Sequence, residues 1–149
     1  VGVETSSRGV EFAGSPLTGF RSLVESRVAN RISQELARGR VTDREDVYAL
    51  GRSVDWRRMM DDRMTLSVET KFGQDVPPAL SHSHFTSLTL KNAVVDAFRE
   101  ALGARPSVDR DDADVPLILY LHRGEARLFR SLSATSLHKR GYRQAMHVA

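Results

Sequence analysis

The chain has 149 residues, 40% hydrophobic and 28% charged, enough apolar material for one domain with a real core or two small subdomains sharing one, and too much for a disordered chain. No run of 18 or more apolar residues suggests a membrane span, the opening residues do not read as a signal peptide, and the lack of Cys excludes disulfides, thiolate metal sites and a Cys nucleophile, so a cytoplasmic setting is expected. The formal net charge of +3 is unevenly spread: residues 120–149 carry Arg123, Arg127, Arg130, Lys139, Arg140 and Arg143 against Glu125 alone, while acids outnumber bases in residues 1–119, an asymmetry expected of a polyanion binder.

Val1 is not an initiator Met, and the chain is expected to be a fragment or to start at the first ordered residue. Gly9 to Gly14 alternates apolar and polar residues and predicts a short half-buried strand. Ser15-Pro16 supplies an N-cap with Pro in the first helical position, followed by Leu17, Phe20, Leu23, Val24 and Val28 at helical spacing. Between Arg31 and Arg40 the spacing of Ile32 and Leu36 suits a helix or a strand. Thr42-Asp43-Arg44-Glu45 reads as a capping box for a helix carrying Val47, Tyr48, Leu50 and Val54, and a short turn begins at Asp55-Trp56. Met64 to Phe72 alternates as a strand, and Gly73 to Ser83, with Pro77-Pro78, is a loop. From about His84 to Leu102 a broad apolar face predicts the longest helix, closed by Gly103. Arg105 to Asp109 is extended because Pro106 disfavours helix before it. Val115–His122 and Ala126–Leu132 flank Gly124 as a β-hairpin. Strands mixed with helices and one antiparallel pair predict an α+β domain, or an α/β domain with a mixed sheet.

Few constellations point to catalysis. His82-Ser83-His84 offers two imidazoles where a metal site needs three or four convergent ligands; a loop with a helix-capping Ser83 accounts for it better. Asp109-Arg110-Asp111-Asp112-Ala113-Asp114 lacks the calcium-loop pattern and reads as a solvated turn in which Asp109 fixes the backbone. No Gly-x-Ser-x-Gly, Gly-x-Gly-x-x-Gly or phosphate-binding loop occurs, so no catalytic residue, metal ligand or cofactor is expected in this chain. Basic residues interleaved with an aromatic are better represented. His138, Lys139, Arg140, Tyr142 and Arg143 lie within six residues, combining guanidinium groups that pair with phosphate and a ring that stacks on an unpaired base.

Several segments resemble one family. Ser26-Arg27-Val28-Ala29-Asn30-Arg31 is similar to its S-R-[LV]-A-x-R helix end, and Val54-Asp55-Trp56 to its ID-W segment. His84-Phe85 and Lys91-Asn92-Ala93-Val94-Val95-Asp96-Ala97-Phe98-Arg99 resemble its long helix, usually K-D-A-I-V-D-x-F. Arg105-Pro106-Ser107-Val108-Asp109 resembles R-P-x-V-D, and Ser136-Leu137-His138-Lys139-Arg140-Gly141-Tyr142-Arg143 resembles the S-L-H-x-R-G-Y-R linker. From about Gly9 to Arg143 the chain is similar to the amino-terminal region, THUMP domain included, of bacterial large-subunit (23S) ribosomal RNA guanine-N2 methyltransferases. It departs from the pattern at Val24-Glu25, Asn92 and residues 130–135.

The resemblance implies a THUMP-type domain at residues 16–132, a remnant of a ferredoxin-like subdomain at 1–15, and a linker at 133–149 to a methyltransferase domain that would use S-adenosylmethionine. The family's N-P-P-[YF] catalytic motif is not in this sequence, so the implied role is RNA binding rather than methyl transfer. The implied partners are large-subunit ribosomal RNA and the protein's own methyltransferase domain. The expected RNA contacts are Lys91, Arg105, Lys139, Arg140, Tyr142 and Arg143, joined by His84 and Arg123; Lys91 has an alternative as a structural partner of Asp96. Two other readings stand beside this one: an interdomain docking module with little RNA contact of its own, and a metal-dependent hydrolase using His82, His84 and the Asp cluster.

Overall fold

A computed structural model describes residues 3–6, 9–25 and 31–133. The described residues fall into two compact units, one ending at Ile32 and one beginning at Ser33.

In the first unit, β1 (Val3–Ser6) and β2 (Gly9–Phe12) form an antiparallel hairpin, with Val3 opposite Phe12 and Thr5 opposite Val10. Helix α1 (Pro16–Glu25) follows, and the Ser15 hydroxyl accepts the Thr18 N–H at 3.4 Å as the expected N-cap. The predicted strand is present, but not half-buried: Val10 and Phe12 are both exposed. An antiparallel register puts residues directly opposite on the same face. Val3, Thr5, Val10 and Phe12 therefore share one face, and no side chain described in this hairpin is buried.

The second unit contains β3 (Ser33–Arg40), α2 (Arg44–Arg52), β4 (Thr65–Phe72), α3 (Ser83–Leu102), β5 (Ser107–Val108), β6 (Val115–His122) and β7 (Glu125–Ser131). Its sheet runs β3-β7-β6-β4-β5, antiparallel on the β3 side and parallel from β6 to β5. This is the expected mixed α+β arrangement, and it resolves residues 33–40 as a strand. The α3 crossover joins β4 to its parallel neighbour β5, and the chain then passes to β6 on the other side of β4.

Alternation decides the core. Val115, Leu117, Leu119 and Leu121 of β6 and Ala126 and Leu128 of β7 are buried, and pack with Leu90, Val94 and Phe98 of α3 and Val47 and Leu50 of α2. Trp56, in a 3₁₀ turn (Trp56–Arg58), buries its ring and donates its indole N–H to the Gly51 carbonyl at 2.7 Å. The cap of α2 sits one residue later than its sequence suggests. Asp43 accepts the Asp46 N–H at 3.0 Å, while the Asp46 carboxylate reaches back to the Thr42 N–H and hydroxyl, each at 2.8 Å. At α3 the N-cap is His82 and makes no side-chain cap; Ser83 is already the first helical residue. Gly103 ends α3 in the left-handed conformation, φ 68°.

Candidate nucleic-acid interface

The chain leaves α3 at Gly103 and turns back so that β5 can pair with the start of β4, Ser107 opposite Thr65. The returning segment is pinned at several points. Pro106 is buried. Asp109 donates its N–H to the Leu66 carbonyl at 3.1 Å. Its carboxylate accepts the N–H groups of Asp111 and Asp112 at 3.0 and 3.1 Å, which hold the carboxyl below its usual range. The Asp114 carboxylate then accepts the Thr65 N–H at 2.9 Å. This is the turn-fixing role its sequence context predicts for Asp109, and it sets the segment that carries Arg105 beside α3.

An open groove results. Lys91, Asn92, Asp96 and Arg99 of α3 line one side, and Arg105 and Ser107 line the other. Asp96 is occupied, accepting the Tyr48 hydroxyl at 2.8 Å with the Arg99 guanidinium 3.8 Å away. Its partners are therefore Tyr48 and Arg99, not Lys91. Elsewhere some arginines are matched with acids, as in Arg21–Glu25, Arg38–Glu35, Arg52–Glu100 and Arg58–Asp55, while Arg57, Arg63, Arg110 and Arg130 make no ion pair among the described residues. Among the described residues Lys91 and Arg105 make no ion pair. Two uncommitted cations in one concavity form a ready site for phosphate, since no protein anion must be displaced.

His84 and Arg123 lie elsewhere. His84 is exposed in the first turn of α3, its ring 5.6 Å from that of Phe85 in an edge-on arrangement. Arg123 tips the β6–β7 turn, its guanidinium 3.4 Å from the Gln74 side-chain oxygen. The Thr70–Ser87 hydroxyl contact at 2.7 Å sets the start of α3 beside the end of β4, so both residues belong to the end of the sheet where β4 and β6 finish. The groove opens toward the other end, where β4 begins, and along α3 Lys91 stands about 10 Å from His84, at about 1.5 Å per residue. Lys139, Arg140, Tyr142 and Arg143 lie outside the described residues. Among the described residues no three His, Cys, Asp or Glu side chains converge as metal ligands. Arg99, Asn92 and Ser107 were not among the sequence-predicted contacts. The spacing of 91, 95 and 99 along one helix face was a signal for Arg99; nothing local pointed to Ser107.

Three comparisons bear on the site. A family model described as THUMP domain matches residues 41–129, a range that contains His84, Lys91, Arg105 and Arg123. A protein named ribosomal RNA large subunit methyltransferase K/L from Syntrophotalea carbinolica is 37% identical over 141 residues, covering 95% of this chain and 19% of that protein. Its namesake from Pseudomonas aeruginosa is 42% identical over 130 residues, covering 87% of this chain and 18% of the relative. The chain thus spans about a fifth of the length of the curated relatives it matches. Among solved structures, a predicted N6-adenine-specific DNA methylase from Listeria monocytogenes superposes with a TM-score of 0.82 at 21% identity, over 96% of this chain and 37% of that one. At that identity the likeness establishes the fold.

Proposed function

This chain belongs to the THUMP domain family, and we propose that it is the RNA-capturing region of a longer ribosomal RNA methyltransferase. The observation that carries the proposal is that Lys91 and Arg105 line one groove, inside the matched range and with no ion pair of their own, the one carboxylate there, Asp96, being held by Tyr48 and Arg99. The relatives' names supply the RNA, large-subunit ribosomal RNA, and the reaction served, guanine methylation being the finer expectation from the sequence motifs. The THUMP domain is assigned to residues 16–132, with 1–15 as part of a flanking subdomain and 133–149 as the linker that carries Lys139, Arg140, Tyr142 and Arg143 toward the RNA and the methyltransferase domain. His84 and Arg123 are assigned as contacts outside the groove. The work is assigned to the cytoplasm, where the ribosomal RNA is.

S-adenosylmethionine is assigned to the rest of the longer protein. The chain's own contribution is binding and orientation, and with phosphate contacts dominating, binding weakens with salt.

The test is a charge reversal, Lys91→Glu with Arg105→Glu, in the full chain. Fluorescence anisotropy with a labelled RNA stem-loop, repeated over a salt series, reads affinity and salt slope together. The proposal expects affinity to fall at least about tenfold and the slope of log affinity against log salt to shrink by about two, one for each phosphate that is no longer neutralised. Unchanged affinity and slope would overturn it.

A further inference from the structure

Among the described residues two non-glycine residues have a left-handed backbone, Asp75 (φ 52°) and Arg123 (φ 50°), and both lie in loops at one end of the sheet. Arg123 donates its N–H to the Gln74 carbonyl at 2.7 Å, Gly73 donates to the Leu121 carbonyl at 2.7 Å, and Gln74 donates to Nδ1 of His122 at 2.9 Å. The packing leaves no room for a side chain on Gly73, whose Cβ would stand 2.4 Å from His122 Nδ1 and 2.6 Å from the Tyr120 hydroxyl. The β4 exit loop and the β6–β7 turn are thus tied into one knot that fixes the backbone of Arg123.

Arg123 and Gly124 are the two central residues of that turn, and both have positive φ, 50° and 72°. Hairpin turns of this kind favour Asn, Asp or Gly, because an ordinary Cβ is disfavoured there. Strain of this sort persists where the surroundings over-determine it, and it clusters at functional positions. What arginine brings that asparagine does not is a long cationic fork that pairs with phosphate. The guanidinium of Arg123 meets the neutral Gln74 amide, at 3.4 Å. A second guanidinium, that of Arg40, lies 3.8 Å from where a Cβ on Gly124 would stand, and among the described residues Arg40 makes no ion pair either.

We infer that the hairpin tip is a second phosphate-contact point for RNA, carried by Arg123 with Arg40 beside it and separate from the Lys91–Arg105 groove. The inference rests on the RNA-capture reading, and adds to it that the RNA engages both ends of the domain.

Arg123→Asn in the full chain separates strain from function, because Asn suits the turn and lacks the charge. Thermal unfolding and anisotropy with the labelled RNA stem-loop over a salt series are the two readouts. The midpoint is expected to rise by about 4 °C, the affinity to fall about tenfold, and the salt slope to shrink by about one. Arg40→Gln is expected to shrink the slope by a similar amount without the rise in midpoint. A midpoint that stays or falls removes the strain argument, and an unchanged slope in Arg123→Asn removes the contact; either result overturns the inference. If Lys91→Glu with Arg105→Glu still lowers affinity in the same assay while Arg123→Asn does not, the tip alone is wrong. If neither set lowers it, the RNA-capture reading falls as well.

Discussion

Glu35 illustrates how single residues govern this fold. Its carboxylate, at a register shift in β3, accepts Nε of Arg38 at 2.6 Å and Nε of Arg127 at 2.8 Å, with a further bond from Nη2 of Arg127. Burial works to raise its pKa, but the bonds and charges of Arg38 and Arg127 outweigh that and hold it below its ordinary value of 4.5. A depressed carboxyl lends stability that is complete above the unfolded pKa and disappears as pH falls through the folded one. Between pH 5 and about 3 the thermal midpoint of the wild type is therefore expected to drop more steeply than that of Glu35→Gln. Parallel profiles would show that the shared carboxylate contributes nothing. The same bond corrects a reading made from charge alone. Arg127 counts toward the basic excess of residues 120–149, yet it shares with Arg38 a carboxylate 92 residues earlier, a match no local pattern reveals. Asp109 is the opposite case: its turn role follows from its immediate neighbours and was legible in the sequence.

Elements were legible where one face is buried and ambiguous where pairing at a distance decides. The α3 face that packs on the sheet, with Leu90, Val94 and Phe98 buried, has the helical period in plain view. Phe98→Ala is expected to cost about 3–5 kcal/mol in urea unfolding; a cost below about 1 kcal/mol would mean that α3 is not part of the core. β3 was ambiguous because Ile32 and Leu36 suit either period, and what makes it a strand is its register with β7, from Ser33 opposite Ser131 to Arg40 opposite Glu125. β5 has two residues and owes its place to β4. In α1, Leu17, Phe20 and Val24 are 66%, 67% and 77% exposed. The sequence shows that this helix is amphipathic, and cannot show what covers it.

At the scale of the whole molecule, the candidate site was only partly readable. Lys91 and Arg105 are 14 positions apart in the sequence and line one groove because the chain reverses at Gly103 and is pinned by Pro106, Asp109 and Asp114. His84 and Arg123, also expected as RNA contacts, lie outside the groove, toward the end of the sheet where β4 and β6 finish. The RNA is therefore expected to cross the domain rather than touch a single basic patch. Ultraviolet cross-linking of the full chain to a labelled RNA stem-loop, with the attached peptides identified by mass spectrometry, addresses that claim most directly. Cross-links are predicted within residues 91–108 and again at the 121–125 turn, both disappearing in high salt. Cross-links confined to residues 136–143, with both of those regions bare, would contradict it.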